Sequence, residues 1–400
     1  MKILLVSYYP LPYAGGIWTV VSNLQQKLLS LGHQVDLFSQ RPDLSGYRMH
    51  HLDHGMMLEA MRPKIMARMN VECPYHHQHS IIQKAEIYRL NFEMTLREYG
   101  LESYDIIHAQ DVTAAQIIGT MKPAHIPLVT SAHGSLTKEI FLVLKSVYPQ
   151  LSEHSILTGR DFKYYQKLEE QGYKGSKYIH TQSRWMKSQI EADFRVPPSK
   201  VISYPLGIHN KQIGTPVSKR GQKKILIFSG RVIYLKGITF LLEALSQVNM
   251  VREDWDCLIV GDGDYLPEAK ALARRLQLND RVSFLGHLQS MESILAQGDV
   301  LIQPSLQDTQ PLSVVEGQLA GLPAIVSDAA GLPEMIQNGL NGLIVPTGDV
   351  RSLKNAIVEL LNDDDRRCRM GHAAVAWANE RWTLDAMVSQ TLALYKRALS

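Results

Sequence analysis

Short apolar runs alternate with amphipathic helical patterns along most of this chain. The opening stretch, MKILLVSYYPLPYAGGIWTVVSNLQQKLLSLGHQVDLFSQ, predicts a strand, a loop, a helix and a second strand. Leu24 and Leu28 recur at helical spacing, and Gly32 ends the helix before the second apolar run. Gly15 and Gly16 precede this helix, where missing side chains let backbone N–H groups approach an anion. A plain tight turn would also account for the glycine pair.

The same alternation returns after a stretch, residues 41–100, that shows little periodicity. YDIIHAQD and PLVTSAHG each predict a buried strand that ends in polar residues, with an apolar helix between them. Ligands of parallel α/β sheets bind beyond the carboxyl ends of the strands. Asp111 and His133 are therefore candidate site residues, although a histidine can also simply cap its strand.

A third unit, KILIFSGRVIYLKGITFLLEAL, places two cations at the carboxyl edge of a predicted sheet. Arg231 follows the strand, and Lys236 stands at the entrance of the next helix. Both cations are therefore expected to face the same cleft. Downstream, VSFLGHL predicts a strand that ends at Gly286, His287 and Leu288.

The stretch from residue 300 to 324 predicts a strand, a polar loop, and a helix that opens at Pro311. Asp308 lies in the loop and Glu316 in the helix, with seven residues between them. Glu316 shares a helix face with Leu312, whose backbone N–H belongs to the unpaired first turn. Carboxylates accept hydrogen bonds from hydroxyls, and a helix N-terminus attracts anions. This arrangement therefore suits a ligand that carries both hydroxyls and a phosphate.

An acidic residue, seven others and then Glu, followed by AGLPAIVSD, resembles the signature of family 4 retaining glycosyltransferases, also called glycosyl transferases group 1. The resemblance implies the GT-B fold, an α/β architecture of two Rossmann-like doubly wound parallel-sheet domains that face a central cleft. It also implies a nucleotide-sugar donor. By this resemblance Glu316 holds the ribose diol, Asp308 a hydroxyl of the donor sugar, and Arg231 and Lys236 the diphosphate.

Further roles follow from the same resemblance. Gly15, Gly16 and the helix start at Pro311 and Leu312 would bind the phosphate and sugar, and His133 would lie near the reacting centre. Backbone atoms of residues 286–288 would meet the base. The resemblance implies four catalytic residues: His133, Asp308, Arg231 and Lys236.

The sequence departs from the family at two places. The family motif usually begins with Glu where this chain has Asp308, which is shorter by one methylene, about 1.5 Å of reach. Residues 205–208, Pro-Leu-Gly-Ile, replace the usual Asn-Gly-Val-Asp. These departures keep open a sugar-nucleotide-binding or scaffold protein that has lost turnover, and YYPLPYAGGIWT resembles a spore-coat-associated bacterial member. A hydrolysing sugar-nucleotide epimerase fits the acidic motif less well.

The length of 400 residues predicts two domains. We expect an N-terminal acceptor domain over 1–208, a donor domain over 223–380, and a terminal helix over 383–400 that crosses back to the first domain. The aperiodic polar residues 209–222 are the expected linker.

The net charge of +3 argues against a nucleic-acid partner. The three cysteines, odd in number and widely spaced, fit a reducing, cytoplasmic compartment, and no targeting segment is recognised. No metal or other cofactor is expected. The Asp262-Gly263-Asp264 pattern matches the manganese motif of another glycosyltransferase fold, but it lies in a strand-to-helix glycine turn.

Two features of residues 41–100 leave alternatives open. Histidines cluster at 50, 51 and 54 and again at 76, 77 and 79, but their spacing matches no established metal site. Met57, Met61, Ile65 and Met69 recur every four residues, which fits packing within the domain or a weak membrane contact. The expected function is retaining, metal-independent transfer from a UDP-linked sugar to an acceptor that the sequence does not identify: a glycan, a lipid-linked molecule or a small molecule.

Overall fold

The computed structural model describes residues 1–12, 16–52, 57–72, 80–209, 223–288 and 290–400. The chain divides into two compact units. Unit 1 contains the described residues up to Tyr204, other than Gly16, together with Val388–Ser400. Unit 2 contains Gly16 and the described part of Pro205–Met387. The expected linker lies almost entirely outside the described residues.

Unit 1 is built around a largely parallel sheet whose strands are β1 Lys2–Pro10, β2 Gln34–Gln40, β3 Tyr47–Met49, β4 Ile106–Ala109, β5 Leu128–Ala132, β6 Tyr178–Thr181 and β7 Val201–Ser203. Within the described ranges these seven strands follow the order β3-β2-β1-β4-β5-β6-β7, and only β3 runs antiparallel to its neighbour. The order reverses between β1 and β4, where Leu5 lies opposite His108. Such a reversal opens a crevice beyond the carboxyl ends of the strands.

The helices of unit 1 are α1 Gly16–Ser30, whose first residue alone is counted with unit 2, α2 Leu58–Glu72, α3 Ser80–Tyr99, α4 Val112–Met121, α5 Leu136–Val147, α6 Glu153–Thr158, α7 Arg160–Gly175 and α8 Arg184–Phe194, with a 3₁₀ turn at Pro198–Lys200. Val21, Leu24 and Leu28 of α1 are buried as the helical spacing predicts. The sheet positions beside them, including Leu4 and Phe38, are fully buried. The core therefore lies between the sheet and its flanking helices.

The methionine stripe of α2 packs within unit 1. Met61, Ile65 and Met69 are buried against Leu90 of α3, so the apolar face is already covered. The outward face carries exposed basic residues such as Arg62. None of the helices in the described part of the chain has an apolar stretch long enough to cross a bilayer.

A line of hydrogen bonds runs through the interior of unit 1 and reaches the C-terminal helix, α15 (Leu384–Leu399). Tyr395 Oη lies 2.7 Å from His108 Nδ1, His108 Nε2 lies 2.8 Å from Ser131 Oγ, and Ser131 Oγ lies 2.9 Å from His180 Nδ1. The last contact joins His180 Nε2 to the carbonyl oxygen of Tyr204 at 2.8 Å. A carbonyl only accepts, so every bond of the line must point toward it, from Tyr395 to His108 to Ser131 to His180. Burial lowers the pKa of both histidines, that of His180 to about 3, and the neutral rings satisfy this scheme.

Unit 2 contains the strands β8 Lys224–Ser229, β9 Trp255–Val260, β10 Val282–Gly286, β11 Val300–Gln303, β12 Ala324–Ser327 and β13 Gly342–Val345. Its helices are α9 Ile238–Asn249, α10 Leu266–Arg275, α11 Glu292–Leu295, α12 Leu312–Leu319, α13 Val350–Asn362 and α14 Asp364–Arg381, with 3₁₀ turns at Tyr234–Lys236 and Leu332–Met335. As far as the structure describes the chain, the six strands form one parallel sheet in the order β10-β9-β8-β11-β12-β13. The reversal here lies between β8 and β11. Two doubly wound α/β units confirm the predicted fold class.

Residues 205–208 belong to unit 2 because their main chain pairs with a distant segment. Ile208 N donates to Trp382 O at 3.0 Å, and Leu384 N donates to Ile208 O at 3.1 Å. A Cβ on Gly207 would lie 2.1 Å from Thr383 O, so only glycine fits this pairing. The tetrapeptide that replaces the family's Asn-Gly-Val-Asp therefore has a structural role.

Candidate functional site

The candidate site of unit 2 lies where the loops after β8, β9 and β11 meet. Gly230 N donates to Val260 O at 3.0 Å, and Gly261 N donates to Gly286 O at 2.8 Å. These main-chain bonds hold the exits of β8, β9 and β10 together beyond the sheet. The predicted residues Arg231, Lys236 and Gly286 thus lie on loops that are joined to one another.

Lys236 is positioned by the turn that contains it. It ends the 3₁₀ turn at Tyr234–Lys236, and Gly237 follows with φ of +72°. A Cβ on Gly237 would lie 1.9 Å from Pro304 O, so this position requires glycine for both its conformation and its space. Leu306 N donates to Leu235 O at 2.8 Å and closes the same contact. The loop after β8 therefore lies directly against the exit of β11.

Lys236 and Asp308 form an ion pair. Their side chains are 15% and 13% exposed, so the pair is largely shielded from solvent. Ser305 Oγ donates to Asp308 Oδ2 at 3.1 Å, and the same oxygen accepts from Lys236. Among the described residues Asp308 Oδ1 has no donor. This oxygen can therefore accept a further hydrogen bond.

Arg231 contrasts with Lys236. It is exposed, and no carboxylate in the described part of the chain lies within ion-pairing distance of it. An unpaired cation beside a shielded ion pair gives the exit of β8 a positive character.

Helix α12 presents its N-terminus and one carboxylate. Pro311 is the N-cap of α12, with φ −66° and ψ 126°. The sequence predicted that Pro311 would be the first helical residue, but the helix begins one residue later, at Leu312. Proline is tolerated at the N-cap as well as at the first helical position, because it lacks an N–H and the first N–H groups of a helix have no partner within the helix. Val314 N donates to Pro311 O at 3.1 Å and closes the first turn.

Glu316 lies in the second turn of α12 and is mostly buried. Desolvation raises the pKa of its carboxyl group to about 7. No donor among the described residues hydrogen-bonds this carboxylate. In this respect Glu316 differs from the buried Glu169 of α7. Glu169 accepts from Leu136 N, Thr137 N and Tyr173 Oη. A desolvated carboxylate without donors is suited to receive them from a ligand.

Gly16 is counted with unit 2, and its neighbour is Leu312. A Cβ at Gly16 would lie 3.2 Å from Leu312 Cγ, so the main chain of Gly16 comes close to the first residue of α12. The structure therefore brings together two of the predicted phosphate-binding positions. Gly15 lies outside the described residues.

The residues predicted to meet the base follow β10. Gly286 has φ of +69°, and a Cβ there would meet nothing within 4 Å. His287 is exposed and Leu288 is half-buried. Gly286 O accepts from Gly261, so this loop shares main-chain bonds with the loop after β9.

In unit 1, His133 follows β5 and is held by two glutamines. Its Nδ1 contacts Gln182 Nε2 and its Nε2 lies 3.4 Å from Gln110 Oε1. An amide nitrogen donates and an amide oxygen accepts, so the ring is neutral with its proton on Nε2. Burial lowers the pKa of His133 to about 4, which agrees with that tautomer.

Asp111 is committed to the backbone. It is the N-cap of α4, where Oδ1 accepts from Ala114 N at 2.7 Å and Oδ2 accepts from Tyr8 N at 2.7 Å. Ser7 Oγ donates to Oδ2 as well, at 3.3 Å. These contacts give Asp111 a structural role at the start of α4.

The described histidines at 50 and 51 have structural partners. His50 Nε2 lies 2.8 Å from Ser39 Oγ, and His51 Nδ1 lies 3.2 Å from Asp36. The other members of the two clusters fall outside the described residues. Within the described ranges, no group of three or more His, Cys, Asp or Glu side chains is arranged to hold a metal ion.

Sequence reasoning missed two buried residues that precede Asp308 in the chain. Gln303 and Ser305 are both fully buried at the end of β11. Their positions carry no pattern of their own, because a buried polar residue at a strand end resembles any loop boundary.

Two family models match the chain one after the other. The model described as Glycosyltransferase Family 4 matches residues 14–211, and the model described as Glycosyl transferases group 1 matches residues 211–377. Together they span most of the chain and both units.

Two relatives align over the full chain. An uncharacterised glycosyltransferase of Methanocaldococcus jannaschii is 24% identical over 415 residues, which cover 100% of this chain and 99% of the relative. The MMP alpha-(1->4)-mannosyltransferase of Mycolicibacterium hassiacum is 24% identical over 418 residues, with the same coverage.

Solved structures show the same architecture. Sucrose-phosphate synthase from Thermosynechococcus elongatus matches with a TM-score of 0.77 at 17% identity, over 99% of both chains. Anabaena HepE in complex with UDP matches with a TM-score of 0.67 at 18% identity, over 100% of both chains. At these identities the likeness establishes the fold, which is GT-B. With two consecutive family models and full-length relatives in agreement, the chain belongs to the family 4 glycosyltransferases, group 1.

Proposed function

We propose that this glycosyltransferase transfers a sugar from a UDP-linked donor to an acceptor with retention of anomeric configuration and without a metal ion. Unit 2 would bind the donor. Three features of that unit support the proposal: the carboxylate of Glu316, the cations after β8, and the N-terminus of α12.

The state of Glu316 carries the proposal. Its carboxylate is desolvated, lacks a donor among the described residues, and has a pKa raised to about 7. Leaving such a group without partners costs stability, so a ligand that supplies hydroxyl donors recovers that cost on binding. Vicinal ribose hydroxyls present two donors at the spacing that one carboxylate accepts.

The diphosphate would bind near Arg231, Lys236 and the N-terminus of α12. Cleavage of a sugar nucleotide leaves added negative charge on the departing diphosphate, and fixed cations stabilise that charge in the transition state. Gly16 lies beside Leu312, and we propose that its main-chain N–H, together with the first N–H groups of α12, faces an oxyanion of the donor. The free Oδ1 of Asp308 would accept one hydroxyl of the sugar.

Retention is proposed to arise from attack on the same face of the sugar. The bond between the anomeric carbon and the phosphate oxygen breaks, and a bond to the acceptor oxygen forms on the face that the phosphate leaves. The proton of the acceptor hydroxyl passes to the departing phosphate, so charge and atoms balance without a protein nucleophile. We assign His133 to the sugar on the family resemblance, with its imidazole ring neutral.

Relatives support a sugar nucleotide but differ in the base. HepE has been solved with UDP-glucose. A relative in Corynebacterium glutamicum, a monoacylated alpha-(1-6)-phosphatidylinositol monomannoside mannosyltransferase, is GDP-mannose-dependent and is 33% identical over 203 residues, 46% of this chain and 52% of the relative. We take UDP as the first choice and GDP as the first alternative. We also propose a cytoplasmic location, with any membrane contact peripheral.

Thermal unfolding with UDP, GDP and ADP, each with excess chelator, tests the donor site. A ligand that binds only the folded protein at one hundred times its Kd adds about 2.7 kcal/mol of stability. A shift with one nucleotide that persists in chelator supports the proposal, and Glu316→Ala should abolish it. The anomeric configuration of the product, read by NMR, then tests retention. A product of opposite configuration would refute the same-face route.

A second candidate is a sugar-nucleotide-binding or scaffold protein, including one associated with a spore coat. The observation that favours it is that Asp308, which replaces the family's Glu, is paired with Lys236. Such a protein would bind the nucleotide but neither transfer nor hydrolyse the sugar.

A further inference from the structure

Four side chains of unit 2 form a hydrogen-bonded line from the first turn of α12 to the Lys236–Asp308 ion pair. Ser313 Oγ lies 3.2 Å from Gln303 Oε1, and Gln303 Nε2 lies 3.0 Å from Ser305 Oγ. Ser305 Oγ in turn lies 3.1 Å from Asp308 Oδ2, the oxygen that also accepts from Lys236. We call Ser313, Gln303, Ser305 and Asp308 the relay.

The amide of Gln303 fixes the direction of every bond in the relay. Its nitrogen can only donate, so Ser305 Oγ uses a lone pair toward Gln303 and has a single proton left for Asp308. Its oxygen can only accept, so the hydroxyl proton of Ser313 points to Gln303. The side chain of Asp308 is therefore oriented by a residue that it does not touch.

The middle of the relay is buried. Gln303 and Ser305 are both 0% exposed, and Ser327 Oγ donates to the carbonyl oxygen of Ser305 from the end of β12. Hydrogen bonds shielded from water are stronger and better oriented than those at a surface. This rigid base leaves Asp308 Oδ2 engaged on the protein side and Oδ1 open.

We propose that Gln303 is a positioning residue of the donor site: it orients Asp308 through Ser305, keeps Asp308 paired with Lys236, and couples both to the first turn of α12 through Ser313. The inference rests on the proposed function for the ligand that the site binds. The relay itself is a property of the protein alone, so it can be tested without that ligand.

The first test measures the reactivity of Lys236 in the ligand-free protein. Competitive acetylation followed by peptide mass spectrometry gives the rate at each lysine, and an ammonium held in an ion pair reacts slowly. Loss of the carboxylate in Asp308→Asn should raise the Lys236 rate about tenfold, since a hydrogen bond to a charged group is lost. Gln303→Met has nearly the same volume and should raise the rate in the same direction by a smaller factor.

A matched control is available on α12. Gln318 is also 0% exposed, and its amide donates to Met335 O and accepts from Trp382 Nε1. Gln318→Met therefore removes a buried amide of the same kind outside the relay and should leave Lys236 at its wild-type rate. Lys224, paired with Asp364 at 3.1 Å, is the internal reference in every sample. Wild-type reactivity of Lys236 in Gln303→Met would overturn the proposal, and so would an equal rise in Gln318→Met.

The second test is a double-mutant cycle on binding of a nucleotide sugar, with UDP-glucose and GDP-mannose as probes. If Gln303 acts through Asp308, Gln303→Met should weaken binding in the wild-type background and have little further effect in Asp308→Asn. Additive losses in the double variant would contradict an action through Asp308. If the wild-type protein binds no nucleotide sugar, the proposed function fails, while the acetylation result still decides the relay.

Discussion

Replacement of Glu316 by glutamine should make the protein more stable at alkaline pH and less able to bind its nucleotide. The buried carboxyl group has a pKa raised from 4.5 to about 7. As pH rises, the unfolded chain releases this proton before the folded protein does. The free energy of unfolding of the wild type therefore falls between about pH 4.5 and pH 7 and stays lower above pH 7.

The size of the effect follows from the shift of the pKa. One pKa unit corresponds to about 1.4 kcal/mol, so a shift from 4.5 to about 7 corresponds to about 3 kcal/mol. Glutamine has nearly the same shape and does not ionise. The stability of Glu316→Gln relative to wild type should therefore rise by up to this amount between pH 4.5 and pH 8. For a domain of this size the melting temperature changes by about 2–4 °C per kcal/mol, which gives a difference of about 6 °C or more.

Thermal melts of wild type, Glu316→Gln and Glu316→Asp across pH 4.5–8.5 measure this difference. The aspartate variant keeps an ionisable carboxyl group, so its pH dependence should remain close to that of the wild type. The glutamine variant should also lose most of its affinity for UDP at pH 8, because the carboxylate offers a charged oxygen to each ribose hydroxyl, whereas the amide has a single neutral acceptor oxygen. A stability difference that does not change with pH would show that the carboxylate is solvated, and the donor site would lose its main support.

Three further changes have defined outcomes. Gly237→Ala should lower the free energy of unfolding, measured by denaturant titration, by about 3 kcal/mol or more, because the new Cβ clashes with Pro304 and the left-handed backbone is strained. The control Gly339→Ala has a similar φ but open space around the new Cβ, so it should cost about 1 kcal/mol. Arg231→Ala should weaken UDP binding about tenfold by calorimetry, and the exposed Arg275→Ala on α10 should not; equal effects would argue against a phosphate contact at Arg231. His133, with a pKa lowered to about 4, is neutral above pH 5, so His133→Gln should reduce the rate without changing the shape of the pH–rate profile between pH 5 and 8. If the wild-type rate changed with pH between pH 5 and 8 and that change disappeared in His133→Gln, the ring would titrate in this range and the reasoning would be wrong.

Periodicity and helix-boundary residues predicted much of the fold. The helical spacing of Leu24 and Leu28 and the stop at Gly32 gave α1 and the start of the first sheet. The terminal helix was predicted over residues 383–400 and is observed at Leu384–Leu399. The family resemblance and the GT-B fold are confirmed by the family models and the solved structures, whereas the roles of Glu316 and Arg231 stay predictions.

Packing between distant elements could not be predicted from the sequence. The helices α2 and α3 pair through Met61, Ile65 and Leu90, and a methionine stripe does not reveal which surface will cover it. Asp111 carried a signal that was missed, because an Asp directly before an apolar helix is a common N-cap. No sequence pattern pointed to Gln303. Its role depends on hydrogen bonds from its amide group to Ser305 and Ser313, and these contacts are seen only in the folded structure.

The hydrogen-bonded line from Tyr395 to Tyr204 has a consequence for the order in which the protein is made. The described strands of the first sheet have all been synthesised once residue 203 has emerged, yet the described residue that donates to His108 Nδ1 is Tyr395, near the end of the chain. Until then this buried lone pair has no donor among the described residues, and the line that it belongs to cannot be completed. The unit that leaves the ribosome first must therefore be finished last, after the whole of the second unit has been translated.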